Sequence, residues 1–332
     1  MLPRVLAMVC VLFILCVAVK TAAGGSYTPD FRREGFHFQF LLSAAAADLD
    51  SDARDELILA GRNYVDREVC AEILGWEAGS LVLEWRSPNL LEPESSLLAL
   101  PLHRPDGSDL VLLTRSRYRI FRRLGEGYAQ IVEGPMPFPP EEGTNADLDG
   151  DGTDELILSA TLRNTKSGRE KNLRVLSFSD GAFFPFISSD PVGNVRSMAA
   201  GDLDQDGRAE VVVELGVATK PGEFQIFRLA EGSLRRLAAQ KVPLQGAAYG
   251  LAIGRRFSET KTSLFAASLA GRIVCFSWAE KGFVAVGPQL SFRGSPVSLA
   301  AGDLDGDGRE ELILVNNPAT LLIFVSKEEI SP

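Results

Sequence analysis

Four stretches of the chain place carboxylates at alternate positions. Asp48, Asp50 and Asp52 are followed by Glu56; Asp147, Asp149 and Asp151 by Glu155; Asp202, Asp204 and Asp206 by Glu210; Asp303, Asp305 and Asp307 by Glu311. Counted from the first aspartate, the acids stand at positions 1, 3, 5 and 9. Alternate residues of a tight loop point inward, so acids at this spacing converge on one point. Like charges held that close repel one another unless a cation lies among them. Hard oxygen donors in this number suit Ca2+, which takes six to eight oxygens in a flexible shell; Mg2+, with its rigid octahedron, fits a carboxylate-rich protein cage less well. Position 7 would add a backbone carbonyl, from Arg54, Thr153, Arg208 and Arg309. About four Ca2+ sites are therefore expected, and four copies in register favour metal over a merely solvated acidic turn. Each loop would join two strands, so its ion would chiefly pin the turn and not contact a ligand.

The details of the loops refine this reading. Gly152, Gly207 and Gly308 occupy position 6, where the chain must turn sharply. Ala53 stands there in the first loop, which predicts the weakest of the four sites. An EF-hand would need a glutamate at position 12, where this chain has Leu59, Leu158, Val213 and Leu314. The acidity is also local. The formal charge is -10, or -12 once Arg4 and Lys20 of the N-terminal segment are set aside. Outside the 16 ligand-position carboxylates, 28 acids face 32 bases, so the remainder is slightly basic. Four Ca2+ ions would bring the chain from -12 to about -4. No basic stripe exists, so no nucleic-acid partner is expected.

Other chemistry finds little support. The two histidines, His37 and His103, are isolated in the sequence, and no Ser-His-Asp arrangement, phosphate-cradling glycine loop, paired-cysteine motif or HExxH is present. No catalytic residue can be named, and an enzyme is the less favoured reading, although fold alone excludes nothing.

The elements that position the loops follow from their spacing. The first aspartates fall at 48, 147, 202 and 303, a span of five intervals of 51 residues, which implies six repeats. Two copies have decayed: Leu98–Leu113 keeps the frame and the Asp106-Gly107 pair, and Leu251–Ala266 keeps only the apolar flanks. In each repeat an unbroken apolar run such as Leu57–Leu59 or Val211–Val213 follows the loop, as in strands covered on both faces. Two further short strands follow, for example 224–228 and 233–237. Four strands per period of about 50 residues predict an all-β, six-bladed β-propeller of four-stranded blades, with a seven-bladed ring as the alternative. Only two strands, Leu312–Val315 and Leu321–Val325, follow the last loop, so the outer strand of the closing blade is expected from residues 26–37, pairing the two chain ends.

Residues 1–23 read as a secretory signal: Arg4, the apolar run Val5–Val19, and small residues at Thr21-Ala22-Ala23. The apolar run is shorter than a membrane span, so no stable span is expected after cleavage, although retention as an uncleaved anchor is an alternative. Residues 24–332 form a single propeller domain in an extracytoplasmic setting, periplasmic, cell-surface or secreted. Cys70 and Cys275 fall in non-adjacent blades, one and five, and are expected to be buried and unpaired.

The segment Ala199–Val213 and its three counterparts resemble the FG-GAP or VCBS-type repeat of integrin-alpha-like β-propellers. That resemblance implies that the acidic loop joins the first two strands of a blade and holds Ca2+ on one face of the disc. Two features depart from it: position 9 is Glu where Asp is common, and the Phe-Gly and Gly-Ala-Pro marks of the integrin repeat are missing. Adhesion is therefore not carried over. The expected role is a binding or interaction module for a protein or glycan, with a carbohydrate-active lyase or an envelope scaffold subunit as alternatives. The longest loops on the opposite face flank the third blade, 134–143 and 162–172, and single out Phe138, Arg163, Lys166 and Arg169 as a partner site, with Phe138 exposed beside a cationic loop. A lyase would need a basic and aromatic cleft at the centre of the disc.

Overall fold

The computed structural model describes residues 28–31, 37–90, 97–165, 168–216, 222–242, 244, 246–255, 261–279 and 282–325. The segment at 1–23, read from the sequence as a secretory signal, and Lys166 lie outside these residues. Six four-stranded antiparallel sheets make up the chain. Blade 1 holds β2 (Phe40–Ala47), β3 (Glu56–Asn63), β4 (Glu68–Glu77) and β5 (Ser80–Arg86). Blade 2 holds β6 (Leu98–Arg104), β7 (Gly107–Leu113), β8 (Arg117–Leu124) and β9 (Gly127–Pro135). Blade 3 holds β10 (Glu142–Ala146), β11 (Glu155–Thr165), β12 (Gly168–Ser179) and β13 (Ala182–Ser188). Blade 4 holds β14 (Val195–Gly201), β15 (Glu210–Leu215), β16 (Glu223–Ala230) and β17 (Ser233–Lys241). Blade 5 holds β18 (Ala248–Arg255), β19 (Thr262–Ser268), β20 (Arg272–Ala279) and β21 (Gly282–Ser291). Blade 6 holds β22 (Ser295–Gly302), β23 (Glu311–Asn317), β24 (Thr320–Val325) and, as its outer strand, β1 (Thr28–Phe31).

The ring is therefore six-bladed, and the closing strand comes from the N-terminal stretch the sequence pointed to. Thr28 pairs with Val325 and Phe31 with Ile323. The decayed second and fifth repeats form complete blades. Among the described residues there is no helix, and so none long and apolar enough to cross a membrane.

Two-sided burial explains the unbroken apolar runs. Leu57 and Leu59 pack into the core between blades 6 and 1, whereas Ile58 and Ala60, on the other face of β3, pack into the core between blades 1 and 2. Val211 and Val213 likewise face blade 3, and Val212 faces blade 5. Each of the six cores fills one inter-blade wedge. A fully buried aliphatic side chain contributes about 1.5–3 kcal/mol, so each blade is stabilised mainly by its neighbours. The outer strands need protection of another kind. Every third-to-outer strand pairing carries a register shift, as between Ile73 and Leu74 or Val175 and Leu176. Such bulges twist an exposed edge away from further pairing.

Candidate metal centres in the acidic loops

All four acidic loops join the innermost strand of a blade to the second: β2 to β3, β10 to β11, β14 to β15 and β22 to β23. They therefore lie at the same end of the ring. Their own carboxylates shape them. The position-1 aspartate accepts from the position-6 N–H in every loop: Ala53 to Asp48 at 3.0 Å, Gly152 to Asp147 at 2.8 Å, Gly207 to Asp202 at 2.9 Å and Gly308 to Asp303 at 2.8 Å. The position-5 aspartate accepts from the N–H of position 7, Arg54, Thr153, Arg208 or Arg309, at 2.7–3.0 Å. Positions 4 and 6 are both left-handed. Position 6 has φ of 69° at Ala53 and 85–87° at the three glycines, while position 4 is Ser51, Gly150, Gln205 or Gly306. Ala53 thus sits where a Cβ costs about 1 kcal/mol or more.

Position 9 does more than its spacing implied. Glu56, Glu155, Glu210 and Glu311 are buried, and Oε2 of each accepts the position-2 N–H, from Leu49 at 2.7 Å, Leu148 at 3.0 Å, Leu203 at 3.0 Å and Leu304 at 2.8 Å. One carboxylate oxygen closes the neck of the loop and leaves Oε1 for other partners. In three loops the glutamate joins positions 1 and 3: Asp48, Asp50 and Glu56; Asp147, Asp149 and Glu155; Asp303, Asp305 and Glu311 each bring ligand atoms within 4.8 Å of one another. Asp52, Asp151 and Asp307 fall outside these groups. They are exposed, and one oxygen of each is engaged by the position-7 N–H. Burial, reinforced by the neighbouring aspartates, pushes Glu56 and Glu311 up to about 8 and Glu155 up to about 7. Among the described residues no ion pair is formed to these three glutamates, so a divalent cation fits the oxygen sets.

The loop at 202–210 differs. Its group is Asp202, Asp204 and Asp206, and Glu210 is turned to Arg228. Arg228 stands opposite Glu210 on β16 and pairs with Glu210, with Asp204 and, at 3.2 Å, with Asp206. A guanidinium already neutralises this loop. Blade 2 repeats the device without the loop: Asp109 is buried and bonded to Arg122 of β8 at 2.8 and 2.9 Å and to Arg104 at 3.0 Å. One residue beyond the last pair in each ladder, Gly75, Ser177 and Val325 fall beside the other three glutamates, none of them cationic, and Ser177 Oγ donates to Glu155 Oε1 at 3.3 Å. At 48–56 a different arginine intrudes, with Arg123 of β8 lying 2.9 Å from Asp50.

Position 8, which the spacing argument passed over, ties blades together. Asp55 N–H donates to the Asp303 carbonyl at 2.8 Å, and Asp303 N–H donates back to the Asp55 carboxylate at 2.8 Å. Asp154 makes the same exchange with His103 of blade 2, at 3.0 and 3.1 Å. Ala209 N–H donates to the Asp147 carbonyl at 3.0 Å, and the Glu310 carboxylate accepts from Arg255 N–H of blade 5 at 2.7 Å. Each acidic loop therefore latches onto the blade before it. Alternating acids drew attention to positions 1, 3 and 5, whereas the latch depends on a neighbour some 50 to 250 residues away.

The opposite face corrects one expectation. Phe138 is not exposed: it is 8 % accessible, belongs to the core between blades 2 and 3, and is capped by the Arg174 guanidinium 4.3 Å from its ring centroid. The proline-stiffened linker folds inward because an apolar ring is better placed in the inter-blade wedge than in water. Arg163 is exposed and paired with Glu170, and Arg169 lies 3.0 Å from Glu141. Cys70 and Cys275 are buried and not disulfide-bonded. His103 is bonded to Ser108 at 2.8 Å. The six inner strands enclose a central cavity of about 480 Å³, lined by small and aliphatic residues such as Ala44, Ala199 and Leu251 together with His103, Glu142, Asp147, Asp154 and Asp202; among the described residues no arginine, lysine, tryptophan, tyrosine or phenylalanine lines it.

Six four-stranded blades on a closed ring, with acidic turns between first and second strands, define a β-propeller of tandem repeats. The FG-GAP-like repeat family model matches residues 147–213, the stretch from the acidic loop of blade 3 through the second strand of blade 4. The chain is a six-bladed β-propeller with an FG-GAP-like repeat across its third and fourth blades, which suggests an interaction module in general. No curated protein matches the chain.

Proposed function

We propose that the protein is an exported, Ca2+-stabilised β-propeller that presents its loops to a protein or glycan partner outside the cytoplasm. The observation that carries this reading is the set of three loops, at 48–56, 147–155 and 303–311, that gather two aspartates and a buried glutamate with no cationic residue opposite the glutamate. Ca2+ is favoured because every donor is a hard oxygen in a flexible turn. In this reading the ions are structural. They lock the turns whose position-8 residues latch one blade to the next, and so stiffen the ring that displays the opposite face. Export rests on the N-terminal run described above. The partner surface would centre on Arg163, Lys166 and Arg169 without Phe138. The cavity lining favours a binding module over a lyase, because Glu142, Asp147, Asp154 and Asp202 would repel an acidic sugar chain and, among the described residues, no arginine, lysine, tryptophan, tyrosine or phenylalanine faces it.

Thermal unfolding of the mature chain in Ca2+ and in chelator tests the metal reading. A higher Tm in Ca2+, rising with its concentration, is expected from binding to the folded state alone; identical transitions would refute it. Capture from native extract by wild type, but not by an Arg163→Glu, Arg169→Glu double variant, tests the partner surface. Equal capture would remove it.

A further inference from the structure

A second donor set lies on the other face of blade 1. His37 just precedes β2, and Glu68 and Cys70 open β4, so all three sit at the end of the blade away from the acidic loops. Their donor atoms lie within 4.8 Å of one another, and His37 Nε2 is 2.5 Å from Glu68 Oε2. We propose that His37, Glu68 and Cys70 bind a borderline divalent transition ion, of which Zn2+ is the type, and that this ion clasps the point where the chain enters the first blade after supplying the closing strand β1.

The donor chemistry separates this site from the loops. An imidazole nitrogen, a carboxylate oxygen and a thiolate select Zn2+ over Ca2+, which prefers oxygen alone. A tetrahedral Zn2+ ion holds such donors about 3.3–3.8 Å apart, so the His37–Glu68 pair, at 2.5 Å, has to open by a little under about an ångström and Cys70, within 4.8 Å, has to close in by at most about an ångström and a half, both by side-chain rotation. Glu68 and Cys70, two apart on one strand, project from the same face. His37 is held over them from several directions. Its carbonyl accepts from Asn63 Nδ2 at 2.8 Å, and the next residue but one, Gln39, donates its N–H to the Arg62 carbonyl at 2.9 Å. Between them Phe38 is buried against Gly61, where any Cβ would come within 2.3 Å of the ring. Cys70 is 1 % accessible, whereas the His37 and Glu68 side chains are 17 % and 34 % exposed, so an ion has a path in. Three protein donors leave a fourth position for water or for a partner's side chain. The competing account is a His37–Glu68 ion pair beside an inert thiol.

Cobalt distinguishes the two. The full mature chain, stripped of metal and returned to excess Ca2+ so that the loops are saturated, is titrated with Co2+. One equivalent is expected to give thiolate-to-cobalt charge-transfer absorption in the near ultraviolet, abolished by Zn2+. Cys70→Ser should remove the band and Cys275→Ser should leave it. His37→Gln, at a partly exposed position, should keep the fold and weaken Zn2+ at least about tenfold by competition with a chromophoric chelator. Absence of the band in folded wild type, its survival in Cys70→Ser, or unchanged Zn2+ affinity in His37→Gln would each overturn the proposal. The excess Ca2+ makes the result independent of whether the acidic loops bind metal.

Discussion

Arg228 sets one acidic loop apart from the other three, because its guanidinium pairs with the carboxylates there. If the loops bind Ca2+ as proposed, the loop at 202–210 must first displace a guanidinium bonded to Asp204, Asp206 and Glu210, whereas of the carboxylates in the loop at 48–56 Arg123 engages only Asp50. Arg228→Gln is expected to raise the number of tight Ca2+ equivalents from about three to about four by equilibrium dialysis. In chelator the same variant should lose about 1.5–3 kcal/mol, because a buried carboxylate loses its charged partner, and Ca2+ should restore most of that loss. Unchanged stoichiometry would show that Arg228 does not compete. Ala53 offers a second test. Ala53→Gly relieves a left-handed alanine and is expected to stabilise the chain by about 0.5–1 kcal/mol in denaturant melts and to tighten the first loop. The spacing of the aspartates was legible in the sequence. Arg228 was not, because only strand register sets it opposite Glu210.

Between elements, the latches and the wedge cores hold the blades in order. The Asp55–Asp303 exchange joins the first blade to the last. Asp55→Ala removes an acceptor for the Asp303 N–H and is expected to cost about 1–3 kcal/mol, whereas Asp55→Asn should retain most of the stability. A second inter-blade group titrates. Glu214 on β15 is fully buried, its Oε1 accepts the Ala248 N–H of β18 at 3.3 Å, its Oε2 has no partner, and burial pushes it up to about 7 from an ordinary value of 4.5. Between those values the folded state holds a proton that the unfolded chain has released, so its stability falls as pH rises through that window. Glu214→Gln cannot ionise. With the loops saturated by Ca2+, its advantage over wild type should grow from near zero at about pH 4.5 to roughly 1–3 kcal/mol at about pH 8. A difference that stays flat with pH would show that Glu214 is already ionised in the fold.

At the scale of the whole molecule, closure is the dominant feature. Five blades are each one continuous stretch of chain, and the sixth borrows β1 from the other end. Removing residues up to 36 would leave β24 with an unpaired edge, and the truncated chain is expected to associate through it, seen as higher-mass species in size-exclusion chromatography. A truncated chain that remains monomeric with an unchanged Tm would show that β1 contributes little to closure. Because each blade packs only on its neighbours, one opened edge also weakens the two adjoining wedges. The acidic loops share one end of the ring with the third-to-outer strand turns, and the second-to-third strand turns and inter-blade linkers lie at the other, so the proposed metal and partner sites would lie on opposite faces.

The periodicity of the chain by itself pointed to six four-stranded blades over a seven-bladed ring and to the source of the closing strand, because a 51-residue repeat with two-sided apolar runs buries its faces against copies of itself. It also set out the four acidic loops, since local spacing alone brings alternating carboxylates together. What the tertiary structure decided were the pairings between residues distant in sequence. Asp55 meets Asp303, Arg228 fills one loop, Phe138 turns into a wedge, and His37 comes to rest over Glu68 and Cys70. Those contacts depend on strand register and on closing a ring, and neither leaves a local signature for a side chain to carry.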